Sequence, residues 1–339
     1  MTDIHKSKIQ LPKVIFGTSA LGNLYTALDY SDKLSIVGEC IRHSPKPVVF
    51  DSAGKYGAGL ALEALGKSLK DLGVHPEDVI ISNKLGWMRT ELTGTEPTFE
   101  PGVWKDLEYD AVQNISYDGI MACFEQGNDL LGEYTPQMVS VHDPDEYLLA
   151  ADNYDERTKR YQDILDAYRA LSDLKEMGKV KAVGVGAKDW HIIERISKDV
   201  ELDWVMIANS MTLHSHPEDL LIFMTKLKEE GITIINSAVF NAGFLIGSDY
   251  YNYRLADKKA DADLFNWREM FFTICEKYDV KPAEACVSFG LSAPGVEAIA
   301  LNTSSAKRVK GNIEMANMEI PAAFWVELRE RGLTSAILK

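Results

Sequence analysis

The chain has 339 residues, an apolar fraction of 46% and a formal net charge of −15. That apolar fraction supplies a large core, and the length suits one α/β barrel with insertions as well as it suits two domains. The acidic balance excludes electrostatic attraction to nucleic acid or to an anionic membrane surface, so neither is expected as a partner.

The polar residues 1–8 lead into no apolar h-region, and no long apolar run follows them, so neither secretion nor a membrane span is expected. Short apolar runs at 14–16, 48–50, 79–82, 138–141, 182–185, 204–207, 233–235 and 298–300 read as buried strands. Helical patterns alternate with them. Ser31-Asp32 can cap a helix that runs to about Arg42. Leu60, Leu62, Leu65, Leu69 and Leu72 make an apolar stripe that Gly73 ends. A second stripe runs from Ile164 through Tyr168 and Leu171 to Met177, and Gly178 closes it. His216-Pro217-Glu218-Asp219 opens a helix with its acids at the positive end of the dipole. Strand–helix units in this series predict an α/β fold, a closed (β/α)8 TIM barrel forming one domain over residues 1–339. A doubly wound sheet with fewer strands is the alternative. Residues 89–114, after the third strand, and 248–263, after the seventh, predict long loops, and their aromatics fit a substrate pocket. Cys40, Cys123, Cys275 and Cys286 form no C-x-x-C pair and read as reduced core thiols of a cytoplasmic protein.

No G-x-G-x-x-G occurs: Gly184-Val185-Gly186 lacks the third glycine, which argues against a Rossmann domain. Gly66-Lys67-Ser68 imitates the end of a P-loop, but Ala61 stands where the upstream glycine belongs, inside a leucine-striped helix. His214 and His216 have a spacing that could offer two imidazoles to zinc. His216 is better placed as a helix-cap residue, and no metal is expected.

One motif stands out. Val48-Val49-Phe50 runs into Asp51, and Tyr56 follows on the next loop. The third strand ends in Lys84 and the fourth in His142. A barrel would bring Asp51, Tyr56, Lys84 and His142 together at the carboxyl ends of its strands, where α/β folds do chemistry. Delivering a proton to a carbonyl oxygen needs an acid, and a free tyrosine, with a pKa of about 10, is too weak at neutral pH. An adjacent ammonium stabilises the phenolate and lowers that value. A buried lysine needs a counter-ion, the role expected of Asp51. His142 can hydrogen-bond the carbonyl oxygen.

These four residues resemble the catalytic tetrad of the aldo-keto reductases, and the likeness runs from Phe16-Gly17-Thr18 to Leu333. Leu21-Gly22-Asn23-Leu24-Tyr25, Tyr117-Asp118-Gly119, His142-Asp143-Pro144-Asp145, Tyr251-Asn252-Tyr253 and Ile320-Pro321-Ala322-Ala323-Phe324-Trp325 are most similar to the L-fucose dehydrogenase and D-threo-aldose 1-dehydrogenase branch. The resemblance implies an NAD(P)-dependent oxidoreductase that turns a free aldose into its lactone. Reduction or oxidation of a small aldehyde or ketone such as pyridoxal is an alternative; so is a nucleotide-binding regulatory subunit with little turnover. It implies cofactor contacts at Gly17 and Thr18, and at Thr303, Arg308 and Asn312 near the last strand. Asn302 stands where the family carries a lysine. That loss removes a cation from the 2′-phosphate pocket and tips the expectation toward NAD over NADP. Lys188 replaces an asparagine that binds the carboxamide. Ser237 replaces a tyrosine that stacks under the nicotinamide, with Phe240 nearby, and Asn209 is an expected amide contact. Tyr25, Trp87 and Asn241 are the expected substrate contacts. The expected partner is a small carbonyl or sugar, and the expected assembly a monomer or small homo-oligomer.

Overall fold

The computed structural model describes residues 9–335. Residues 1–8, on which the expectation of no export signal rests, lie outside the described residues, as do residues 336–339.

Eight strands form a closed barrel: β1 (Val14–Gly17), β2 (Val48–Ala53), β3 (Val79–Leu85), β4 (Met138–His142), β5 (Ala182–Ala187), β6 (Trp204–Ala208), β7 (Thr233–Ser237) and β8 (Val296–Asn302). Every strand pairs in parallel with its neighbours in chain order, and β8 closes on β1 through Val14↔Ile299 to Gly17↔Asn302. That closing ladder overturns the doubly wound alternative. Each of the eight apolar runs is a strand. β2, β4 and β5 are buried along their whole length because helices cover the outside and side chains fill the inside.

Alternation sorts the side chains. Ile15, Val49, Met138, Ala182, Trp204, Met206, Ile235 and Ala298 form one cluster inside the ring, with Ile9 and Leu11 packed against it. Phe16, Val48 and Phe50 point outward into the cluster under the helices. The indole of Trp204 needs room from its neighbour. A Cβ on Gly184, its register partner, would lie 2.2 Å from that ring. Gly184 therefore serves barrel packing, which accounts for a Gly-Val-Gly with no nucleotide motif around it.

The first helix spans Tyr30–His43, one residue ahead of the expected cap, with Asp29 at the cap position making no side-chain bond. The helix Leu60–Asp71 carries the leucine stripe, and Gly73 follows it at φ 63°. The long helix Tyr154–Glu176 begins well before its apolar stripe because Asn153 Oδ1 accepts from the Glu156 N–H at 2.9 Å. The helix Glu218–Glu229 starts directly after Pro217.

Both long connections contain a hairpin. Trp87–Glu91 pairs antiparallel with Tyr109–Gln113. Tyr250–Tyr251 pairs with Arg254–Leu255 across Asn252 and Tyr253, whose φ values of 47° and 69° give the twist a two-residue hairpin needs. The four cysteines are buried free thiols. Among the described residues, no helix is long and apolar enough to cross a membrane.

Candidate active site

Register places three of the expected residues on adjacent strand ends. Asp51 lies beside Gly17 on β1 and Ser82 on β3. Lys84 pairs with Ala53 on β2 and Ser140 on β4, and His142 pairs with Gly186 on β5. Tyr56 sits on the loop after β2, fixed by its N–H to the Ala53 carbonyl at 3.1 Å and by its own carbonyl, which accepts from Ala61. Two glycines let the loop sit there. A Cβ on Gly57 would meet the Gly22 carbonyl oxygen at 2.3 Å, and one on Gly22 would meet the Tyr56 carbonyl at 2.7 Å. The segment Ser19–Gly22 thus presses backbone to backbone on the Tyr56 loop.

The Lys84 Nζ donates to Asp51 Oδ2 and, at 3.3 Å, to Tyr56 Oη. Asp51 and Lys84 are only 4% and 6% exposed, so this ion pair is desolvated. The His142 ring meets Tyr56 edge-on, with centroids 5.5 Å apart and planes at 84°. All four residues therefore gather at one end of the barrel.

Burial dominates the electrostatics. It pushes the Tyr56 phenol up, Lys84 pulls it down, and the net value is raised to about 12. The expectation that Lys84 would bring the phenol below its usual value is corrected: the ammonium works in that direction, but desolvation outweighs it. Burial also works against the Lys84 charge, yet Asp51 and Tyr56 overcome it and hold the ammonium above the usual lysine range. Burial, then the Lys55 and Lys84 ammoniums, keep His142 well below the ordinary histidine value, so its ring is neutral.

Gly17 lies between Asp51 and Asn302 in register. The Thr18 hydroxyl donates to the Asp51 carbonyl at 3.1 Å. A narrow apolar cleft lined by Phe16, Leu21, Ile36 and Leu301 opens beside Gly17, Thr18 and Thr303. Asn302 Nδ2 donates to Ser19 Oγ at 2.6 Å, and Thr303 Oγ1 accepts from the Ser305 N–H at 3.1 Å. The helix Ala306–Met315 begins there, with exposed Arg308 in its first turn and half-buried Asn312 in its second. At the end of β6, Asn209 has φ 60°, and its N–H donates to the Ser237 carbonyl at 3.2 Å. Its Oδ1 is buried without a partner. Phe240 packs against both large core clusters.

Two expected contacts have partners within the chain. The Lys188 ammonium is held by Glu146 and lies 5.2 Å from the Tyr253 ring centroid. Asn241 is fully buried, donating to Asn252 Oδ1 at 2.8 Å and to the Asn209 carbonyl at 3.4 Å. It braces the 250–255 hairpin and does not face the mouth. Tyr25 is 60% exposed, within electrostatic reach of Glu100, Tyr250 and Lys188. The Trp87 and Phe99 ring centroids lie 5.8 Å apart with the planes tilted at 47°.

Both histidines of the 214/216 pair make hydrogen bonds within the chain. His214 Nδ1 bonds Tyr251 Oη at 2.9 Å, and His216 Nε2 accepts from the Ser335 N–H at 2.9 Å. Among the described residues, no three His, Cys, Asp or Glu side chains gather as metal ligands.

Sequence reasoning expected the aromatics of residues 89–114 at a pocket but did not single out Trp104, and it missed Lys55. The Trp104 ring lies 5.9 Å from Tyr56, and Lys55 is buried beside it among acids. The lysine was readable as the one charge in a run of small residues between Asp51 and Tyr56.

A parallel eight-stranded barrel with an Asp–Lys–Tyr–His cluster at its strand ends is the architecture of a barrel oxidoreductase. The chain belongs to the aldo/keto reductase family, whose sequence model matches residues 13–331. It is 28% identical over 334 residues to a pyridoxal 4-dehydrogenase from Microbacterium luteolum, covering 94% of this chain and 93% of that one. It is 26% identical over 343 residues to a D-threo-aldose 1-dehydrogenase from a Pseudomonas species, covering 96% and 95%. Among solved structures, an aldo-keto reductase from Bacillus halodurans (holo form) superposes with a TM-score of 0.68 at 18% identity, covering 99% and 98%. A glycerol dehydrogenase from Gluconobacter oxydans superposes with a TM-score of 0.67 at 15% identity, covering 96% and 94%. The protein is thus an oxidoreductase of a family that acts on small carbonyl substrates and typically uses NAD(P)H.

Proposed function

We propose that this protein oxidises a free aldose of the L-fucose, L-galactose or D-threo type at its anomeric carbon, giving the lactone. The observation that carries the reading is the Lys84 ammonium bonded to both Asp51 and the Tyr56 phenol, 3.3 Å from the latter. Tyr56 takes the proton from the anomeric hydroxyl in oxidation and returns it in reduction. Lys84 stabilises the phenolate, and Asp51 keeps Lys84 charged. Neutral His142, edge-on to Tyr56, holds the same oxygen. A bound nicotinamide dinucleotide would supply the hydride acceptor. The chain's residues fit such a group: the unpaired, buried Oδ1 of Asn209 suits an amide donor at the ring end. Gly17, Thr18, Thr303, Arg308 and Asn312 run toward a helix N-terminus that suits phosphate. The reading also takes residues 1–339 as one domain working in the cytoplasm, in keeping with four buried free thiols.

The second reading, oxidation of pyridoxal or turnover of another small aldehyde, draws on the 28% identical relative. An absorbance assay at the reduced-nicotinamide band, with free aldoses, pyridoxal and both cofactors, separates the two. Pyridoxal turnover above that of every aldose tested would overturn the sugar reading.

Two further outcomes follow. The oxidative kcat/KM depends on deprotonated Tyr56, whose pKa lies near 12. It should rise about tenfold per pH unit from pH 7 upward, while the reductive rate, which needs the protonated phenol, stays flat. A pH profile of oxidation that levels off below about pH 8 would contradict the raised phenol. Asn302→Lys restores a cation beside Ser19 and should shift preference toward NADP. An unchanged NADP/NAD ratio of kcat/KM would show that position 302 does not read the 2′-phosphate.

A further inference from the structure

A second charged cluster borders the mouth, and the proton-transfer scheme does not use it. Lys55, immediately before Tyr56, is 6% exposed. Its Nζ lies 2.7 Å from Glu100, 3.5 Å from Glu146, 3.7 Å from Asp143, and 5.3 Å from the Trp87 ring centroid. Lys188 holds the other oxygen of Glu146. Three carboxylates thus face two ammoniums and leave one negative charge in excess.

The array is fixed from both sides. Glu100 Oε2 accepts from Trp104 Nε1 at 2.7 Å, and the Trp104 ring packs tilted against Tyr56. Asp143 Oδ2 lies 3.4 Å from His142 Nε2. Glu100 and Asp143 both take left-handed backbone, at φ 46° and 45°, a conformation that aspartate tolerates and that is uncommon for glutamate. Burying an ammonium requires pairing, and one carboxylate would have sufficed. The surplus acids are half in solvent: the side chains of Glu100 and Glu146 are 36% and 41% exposed.

We propose that this array is a charge filter on the substrate. Glu100, Asp143 and Glu146, ordered by Lys55, admit uncharged hydroxyl-bearing or cationic substrates and reject those with a carboxylate or phosphate near the reacting carbon. Lys55 is its positioning residue. The free carboxylate lone pairs accept from substrate hydroxyls. This rests on the barrel's acting on a carbonyl, and it narrows the sugar reading to unphosphorylated, non-acidic sugars.

The test uses holoenzyme and three aldehydes of similar shape: 4-carboxybenzaldehyde, its methyl ester and 4-(trimethylammonio)benzaldehyde. The ester should exceed the carboxylate in kcat/KM by about tenfold to a hundredfold, the size of one excess charge at short range. The cation should match or exceed the ester, and the difference should sit in KM. Added salt should narrow the gap. Two variants should move the ester/carboxylate ratio in opposite directions. Glu146→Gln removes the excess charge and lowers it, whereas Lys55→Met exposes more acid and raises it. Damage to the fold alone would slow all three aldehydes together and leave the ratios in place. Equal kcat/KM for carboxylate and ester, or a ratio that neither variant moves, overturns the filter and leaves the sugar reading standing. A strong ester preference together with inert aldoses supports the filter and sinks the sugar reading.

Discussion

Tyr56→Phe should lower kcat by roughly 10²–10⁴-fold, the usual contribution of a positioned proton donor, with KM and nucleotide affinity nearly unchanged. The structure makes this substitution unusually clean. The ring packs against Trp104 and His142, and phenylalanine keeps both contacts. Lys84 loses one acceptor at 3.3 Å but keeps Asp51. The stability lost is that of a single hydrogen bond, about 0.5–1.5 kcal/mol. Urea melts of the variant should therefore stay close to wild type while turnover collapses. Steady-state kinetics with a saturating aldose checks the first part. Wild-type rates in the variant would mean that another group moves the proton.

How much of this could be read from the sequence depended on how local the information was. The strands were legible because a barrel strand is buried on both faces, so runs such as Val48-Val49-Phe50 are continuous and apolar. The start of Tyr154–Glu176 was not, because its first turns are charged and Asn153, not an apolar stripe, fixes them. The hairpin in residues 87–113 was missed because its strands lie far apart in sequence and pair only when the loop closes. The same contrast holds in the site. Asp51 and Tyr56 sit a few residues apart at a strand end, and that spacing is informative by itself. The Lys55 array draws Glu100 from a loop, and Asp143 and Glu146 from the cap and first turn of the helix Pro144–Leu149, so no window of sequence contains it. Lys188 was read from the place it occupies in the family pattern, and Asn241 as a polar group suited to a sugar pocket. Neither reading fixes the direction of the side chain: Lys188 turns to Glu146, and Asn241, at φ 46°, turns inward to Asn252.

Lys84→Met should abolish turnover and also destabilise the fold, and the two losses have separate causes. Without the ammonium, Asp51 is a buried carboxylate, 4% exposed, whose Oδ1 already lacks a partner. Breaking a buried pair from one side costs about 3–5 kcal/mol, because the surviving charge is left without compensation. Replacing both partners with apolar groups of similar size is often neutral or stabilising. Asp51→Leu combined with Lys84→Met should then recover most of the stability that Lys84→Met lost. It should recover none of the activity, since nothing is left to stabilise the Tyr56 phenolate. Denaturant melts and turnover measured on the two single variants and the double variant form a closed cycle. A double variant as unstable as Lys84→Met would show that the pair's importance to folding is not electrostatic. One with restored turnover would remove the ammonium from the chemistry. Because the pair spans β2 and β3, the cycle measures how much stability the barrel gives up to hold a charge under its tyrosine.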